Sequence, residues 1–152
     1  MRKYETFPFC LSRLRSRLTN KQQTKVKSAT DPRHLKRIKT FKSLFAGSFT
    51  DQLERPSRVD KINSHIEEID GIIQKCAPEW PISQINRVDL AVLRQAVYEL
   101  LYKTQTPTKV IIDEAVEIAK RYGGKTSSSF VNGALAAALI HTNRNDEQPK
   151  LS

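Results

Sequence analysis

The chain has 152 residues and a formal net charge of +10, which fits one domain of ordinary size and indicates a polyanionic partner. No apolar run approaches the roughly 20 residues that a membrane-spanning helix needs, and Cys10 and Cys76 lack a histidine or second cysteine at zinc-ligand spacing. These features argue against a membrane protein and a zinc protein, and we expect a cytoplasmic location and no cofactor.

The basic charge is concentrated at the N-terminus. Residues 1–42 hold 13 Lys/Arg and 2 Asp/Glu, whereas residues 43–152 hold 13 and 14. Residues 1–30 also lack sustained apolar periodicity, so we predict a disordered basic arm there. Nucleic acid is the favoured partner because the charge continues into a helix. A solubility tail is one alternative, and the basic stretch at residues 13–18 leaves an organelle transit peptide as another.

The first helix is expected to begin at Asp31 and Pro32, since Asp suits an N-cap and Pro suits the first helical position. Its apolar residues recur at helical spacing, and the cations Arg33, Lys36 and Arg37 fall on the other side. The pattern predicts an amphipathic helix with an exposed cationic face. The apolar positions are Leu35, Ile38, Phe41, Phe45 and Phe49.

Two helices are predicted in the middle of the chain. Ser57 is expected to cap the second helix with Asp60 three residues later, and an isoleucine stripe then runs from Ile62 to Cys76. Ser83 is expected to cap the third helix. Apolar residues cover most of that helix's surface, which is typical of a central helix contacted on several sides.

Two more helices complete the predicted domain. One begins at residues 106–108 and ends at Gly123-Gly124, and the other is capped by Ser127 or Ser128. The polar residues 142–152 are expected to form a disordered tail, so the helical domain spans residues 31–141. About five helices and no alternating strand pattern predict an all-α fold.

No arrangement of residues in this sequence predicts catalysis, so we expect a protein that is not an enzyme. The acids occupy solvent-facing positions or first turns of helices, where the helix dipole favours negative charge. Gly133 is the unexpected residue, because glycine inside a helix costs about 1 kcal/mol relative to alanine. Close helix packing and a functional role both remain open for it.

Three segments resemble the NusB family of transcription antitermination factors. Residues 88–101 (VDLAVLRQAVYELL) resemble the central helix of that family, and residues 112–120 (IDEAVEIAK) resemble the next helix. Residues 129–135 (SFVNGAL) are similar to the closing helix. The resemblance covers about residues 32–140, and three motifs in family order make it specific.

The resemblance implies a compact helical bundle in two packed subdomains. It also implies binding to a boxA-like single-stranded RNA of ribosomal RNA leaders, together with the small-subunit ribosomal protein NusE, in an elongating RNA polymerase complex. By position in the family, Arg33, Lys36, Arg37, Tyr122 and Phe130 would contact RNA. Phe45 and Asp89 would contact the protein partner.

The chain departs from the family in two places. The connection between Phe49 and Ile62 is short, which indicates that an N-terminal helix is shortened or missing, and the first helix has fewer arginines than is usual. Two other functions stay open. The chain could be a helical protein-interaction module, or an accessory NusB-like domain of an RNA-modifying enzyme.

Overall fold

The computed structural model describes residues 31–50 and 55–144, so the predictions for the arm 1–30 and for residues 145–152 lie outside it. Within the described ranges the secondary structure is helical, which confirms the all-α prediction. A short 3₁₀ turn occupies Ile82–Gln84. The α-helices are α1 (Pro32–Gly47), α2 (Ser57–Asn63), α3 (Ile66–Cys76), α4 (Arg87–Tyr102), α5 (Thr108–Tyr122) and α6 (Ser127–His141).

Helix α4 lies at the centre of the bundle, as its wide apolar face predicted. Ten of its 16 residues are buried, and it packs against α1, α3, α5 and α6. Leu93, Val97 and Leu100 are almost completely buried and contribute to one continuous core. Because α4 contacts helices on several sides, it fixes where the N-terminal and C-terminal helices present their outer faces.

The prediction of one helix through the isoleucine stripe is wrong. The chain turns at Ser64 and His65, so the stripe is divided between α2 and α3. Ser64 Oγ donates to the carbonyl of Lys61 at 2.8 Å, and the His65 N–H bonds the Ile62 carbonyl three residues back. A serine that bonds its own backbone competes with helix continuation. The described part therefore has six α-helices instead of five.

Two predicted helix caps also differ from the structure. Ser57 lies inside α2, whose N-cap is Pro56 and has no side-chain cap bond. Ser83 lies in the 3₁₀ turn, and Asn86 caps α4 by accepting the Val88 N–H at 2.9 Å. The cap moves because the 3₁₀ turn takes up the predicted cap residue, and α4 begins only at Arg87.

The buried face of α1 is rotated from the predicted one. Ile38 and Phe41 are buried as expected, but Leu35 and Phe49 are exposed by 48% and 62%. Thr40, expected on the outer side, is buried and bonds the Lys36 carbonyl. The rotation has an electrostatic cause, because the inner face of α1 meets two carboxylates on neighbouring helices.

The two glycines of interest play opposite roles. A Cβ at Gly123 would lie 2.7 Å from the Ala119 carbonyl oxygen and against the Ser127 side chain, so this position requires glycine. A Cβ at Gly133 would meet nothing within 4 Å. Close packing at Gly133 is therefore wrong, and the space beside it is open.

In the part of the chain that the structure describes, every helix is too short or too polar to cross a lipid bilayer.

Candidate nucleic-acid interface

The outer face of α1 presents positive charge to solvent. Arg33 and Lys36, both predicted to contact RNA, have exposed side chains, and so do Lys39 and Lys42. These residues lie within a 16-residue helix whose first turn has no acid. The structure therefore brings four exposed cations together on one helix, a suitable surface for phosphates.

Arg37, the third predicted RNA contact on α1, instead faces the protein interior. Its Nε and Nη2 donate to Glu99 of α4, with Nε–Oε2 and Nη2–Oε2 distances of 3.0 and 2.8 Å. Arg58 of α2 donates to the other oxygen of Glu99 at 2.6 Å. Glu99 is only 1% exposed. One buried carboxylate thus joins three helices, and the Arg37 donors are committed to it.

His34 makes a second inward contact from the same helix. Its Nδ1 lies 2.7 Å from Oε2 of Glu114 on α5, and both side chains are mostly buried. Together with Arg37, this contact explains the rotation of α1, because hydrogen-bonded polar side chains take part of the inner face. The outer face is left to Arg33, Lys36 and the two lysines that follow.

Tyr122, predicted to stack on RNA bases, packs against α1. Its ring centroid lies 5.2 Å from that of Phe41, and the Nζ of Lys42 lies 5.6 Å from the Tyr122 ring. Arg121 is also near this ring, at 5.5 Å. The half-buried tyrosine is therefore surrounded by cations, and it connects the end of α5 with the cationic face of α1.

Phe130, the other predicted stacking residue, lies in different surroundings. It is partly buried and packs against the core, and its exposed part lines a groove with Trp80. Tyr122 and Phe130 form no ring contact with each other in the described structure, and the two rings have different neighbours. Trp80 was not among the site residues predicted from the sequence, although a lone tryptophan in a short connection between two prolines was a usable signal.

Phe45, predicted to contact the protein partner, sits in a row of three aromatic rings along α1 and the turn that follows it. Its centroid lies 6.2 Å from Phe41 on one side and 5.1 Å from Phe49 on the other. Phe49 is the more exposed ring, and the Arg87 guanidinium lies 4.4 Å from its centroid. This row places an apolar surface at the junction of α1 and α4.

Asp89, the second predicted partner contact, is buried near the start of α4. It is 6% exposed, and its Oδ1 has no hydrogen-bond partner within the described residues. Burial raises the pKa of this carboxyl, and a hydrogen bond with Ser127 partly opposes the rise. Ser127 Oγ also accepts the Gly124 N–H at 2.9 Å. Asp89 therefore helps to hold the turn that leads into α6.

Ser127 does not cap α6 as the sequence suggested. It is the first residue of the helix, the N-cap residue is Thr126, and no side chain supplies a cap bond. Its hydroxyl is taken by Gly124 and Asp89, which explains why it is unavailable to the helix end.

No group of three His, Cys, Asp or Glu residues that could hold a metal ion occurs among the described residues.

Comparison with known proteins identifies the family. The sequence model of the NusB family matches residues 56–139, more than half of the chain. A relative from Agathobacter rectalis, named transcription antitermination protein NusB, is 35% identical over 122 residues, covering 66% of this chain and 93% of that protein. A protein of the same name from Lachnoclostridium phytofermentans is 44% identical over 82 residues, covering 54% of this chain and 62% of that protein.

The fold comparison agrees with the sequences. A solved structure of T. maritima NusB superposes with a TM-score of 0.64 at 32% identity, covering 72% of this chain and 91% of that one. The chain spans between 47% and 62% of the length of the first three curated relatives that it matches. The matched residues include α4, α5 and most of α6, and on this evidence the chain belongs to the NusB family.

Proposed function

We propose that this protein is an RNA-binding transcription antitermination factor without catalytic activity of its own. It would bind a boxA-like single-stranded element of ribosomal RNA leaders together with the small-subunit ribosomal protein NusE. The resulting complex would help RNA polymerase to resist termination. The observation that carries the proposal is the exposed cationic face of α1 on a NusB fold, since its relatives are named as antitermination proteins.

The cationic face supplies affinity for the RNA backbone. Arg33, Lys36, Lys39 and Lys42 are exposed, and the sequence before α1 adds more basic residues. Binding of phosphates releases condensed counterions, so affinity should fall steeply with salt. Such contacts hold the RNA in place but do not distinguish one base from another.

Base selectivity needs a second kind of contact. Tyr122 is a half-buried ring with Lys42 close to it, so it could stack a base next to the phosphate strip. Phe130 offers another ring at a separate place on the surface. Single-stranded RNA is commonly recognised by stacking its unpaired bases on such rings. We assign both residues to base recognition, at two distinct sites.

The partner surface would lie at the junction of α1 and α4. Phe45 and the exposed Phe49 form an aromatic surface beside Arg87, and Asp89 follows Arg87 by two residues in the first turn of α4. Aromatic residues and arginine are enriched where proteins bind each other. We propose this junction as the contact with NusE, with Asp89 acting mainly through the Ser127 turn that it supports.

The test is binding of a fluorescein-labelled boxA-like RNA and of a scrambled RNA of equal composition, each with and without NusE. We expect tighter binding of the boxA-like RNA, a further gain with NusE, and a steep salt dependence. Equal binding of both RNAs with NusE present would contradict selectivity. Binding of NusE without any affinity for RNA would favour the alternative of a protein-interaction module.

A further inference from the structure

A groove of about 280 Å³ lies between the turn that follows α3 and the first half of α6. Trp80 stands on the side of the turn, and Phe130 stands on the side of α6. Trp80 is 50% exposed although it is the largest apolar residue type. Tryptophan that remains in water is typical of binding surfaces, because its ring buries a large area once a partner covers it.

Trp80 is held in a stiff turn. Its N–H donates to the Ala77 carbonyl at 3.0 Å, and Gln74 Nε2 donates to the Trp80 carbonyl at 3.3 Å. Pro78 and Pro81 restrict the backbone on either side. The backbone that carries the ring is therefore held before any ligand arrives, which lowers the entropy cost of binding.

Gly133 keeps the groove open. It lines the groove, and a Cβ at this position would have no atom within 4 Å. Glycine inside a helix lowers helix stability, and no packing contact in the structure requires it here. Because Gly133 lines the groove and its Cβ position is empty, the absence of a side chain there preserves room for a ligand.

Each of the two chain segments that form the groove carries an exposed lysine close in sequence to a lining residue. Lys75 directly precedes the lining residue Cys76, and Lys125 lies four residues before the lining residue Ser129. Both lysines are exposed, and neither forms a salt bridge with another described residue. Glu79 is the acid that lines the groove. Exposed lysines in the two chain segments that form an aromatic groove suit a nucleotide, whose base is planar and whose phosphate is negative.

We propose that this groove holds one nucleobase of a bound single-stranded RNA, stacked on Trp80, with Lys75 and Lys125 near its phosphates. The proposal rests on the proposed function and adds Trp80 as a base-binding residue. It gives the RNA a second stacking point away from Tyr122 and the cationic face of α1. Stacking on Trp80 tolerates any base, so Trp80 adds affinity and fixes register more than it reads sequence.

Trp80 itself provides the measurement, because it is the only tryptophan in the chain. The full chain is titrated with a boxA-like single-stranded RNA while tryptophan emission is recorded. In parallel, binding is followed by the anisotropy of the same RNA carrying fluorescein. We expect emission to be quenched over the same concentration range as the anisotropy change. Replacing nucleotides one at a time with abasic ones should abolish the quenching at one position.

Variants give a second, independent readout. Trp80→Ala should weaken RNA binding about 5- to 100-fold, whereas Trp80→Phe should retain most of the affinity because it keeps a ring. Gly133→Leu should also weaken binding, by filling the groove. Ile140→Ala is the matched control, since Ile140 is 74% exposed at the far end of α6. Its affinity should equal that of the parent protein.

The possible negative results separate a failure of the groove proposal from a failure of the proposed function. If the labelled RNA binds but emission and the Trp80→Ala affinity do not change, the groove proposal is wrong and the proposed function stands. If NusE alone changes the emission and RNA does not, the groove is a protein contact and the proposal is again wrong. If no RNA binds under any condition, both the groove and the proposed function are wrong.

Discussion

Arg37 of α1 and Glu99 of α4 form a bidentate ion pair inside the bundle, with Nε–Oε1 and Nη2–Oε2 distances of 3.2 and 2.8 Å. Arg58 completes the arrangement from α2. A buried charge is tolerated only when it is paired and hydrogen-bonded. This contact therefore determines how α1 is rotated, and through that rotation which of its cations reach solvent.

Glu99→Gln should destabilise the protein by about 3–5 kcal/mol, because two mostly buried guanidinium groups lose their counter-charge. Urea unfolding followed by circular dichroism measures the loss. Asp70→Asn is the control, since Asp70 pairs with Arg94 at a more exposed position, and it should cost about 1 kcal/mol or less. Equal losses of unfolding free energy in both variants would show that the buried ion pairs of Glu99 contribute no more than an exposed pair does.

Lys36→Ala should weaken binding of all RNAs alike and lower the slope of log affinity against log salt by roughly 1. Its unfolding free energy should stay unchanged because the side chain is exposed. Arg37→Ala is expected to lower the unfolding free energy through the loss of the Glu99 pair and to leave the slope close to that of the parent, because its donors are held by Glu99. Lys103→Ala, an exposed lysine at the end of α4, serves as the control. If the slope is unaltered in Lys36→Ala, the assignment of α1 to the RNA-binding surface is contradicted.

Phe130→Ala should lose the boxA-like RNA preferentially, by about 1–3 kcal/mol if one base stacks on the ring. Binding of the scrambled RNA should change less. The melting temperature is measured alongside, because Phe130 also packs against the core. A folded variant that binds both RNAs like the parent would limit Phe130 to a structural role.

Gly133→Ala should stabilise the protein by up to about 1 kcal/mol, since alanine favours the helix and its Cβ meets no atom. Gly123→Ala is the opposing case, because its Cβ would lie 2.7 Å from the Ala119 carbonyl oxygen. We expect it to lower the melting temperature clearly. A destabilised Gly133→Ala would mean that close packing occurs at position 133 after all.

Asp89→Asn should raise stability at neutral pH. Burial raises the pKa of Asp89 in the folded state, so the folded protein binds a proton more tightly than the unfolded chain. Stability is then lost as pH rises from the ordinary carboxyl value through the folded pKa. The parent and the variant should converge as pH falls towards about 4. The unfolding free energy of the parent and of the variant is measured from pH 4 to 8. If the two free energies change with pH in the same way, the prediction is contradicted.

NusE binding by the same Asp89→Asn variant is a second readout. We expect weaker binding, as the position of Asp89 in the family implies. If the affinity for NusE is unchanged in a folded variant, the carboxylate serves only the Ser127 turn, and the partner surface rests on Phe45 and Phe49.

The sequence by itself determined the helical class, the central position of α4 and the family. All three follow from local information, because helical periodicity and three motifs in family order can be recognised directly in the sequence. The start of α1 at Pro32 was also predictable, since proline suits the first helical position. The accumulation of positive charge before and within α1 needed only a count of residues.

Tertiary structure alone decided which face of α1 is buried and which rings share a surface. Helical spacing predicts that Arg37 faces solvent, whereas the structure pairs it with Glu99, which lies 62 residues later in the chain. In the same way, Trp80 and Phe130 become one groove only when the turn after α3 packs beside α6. Periodicity reports spacing within one helix, whereas charge pairing and grooves depend on partners distant in sequence, so the sequence could not assign them.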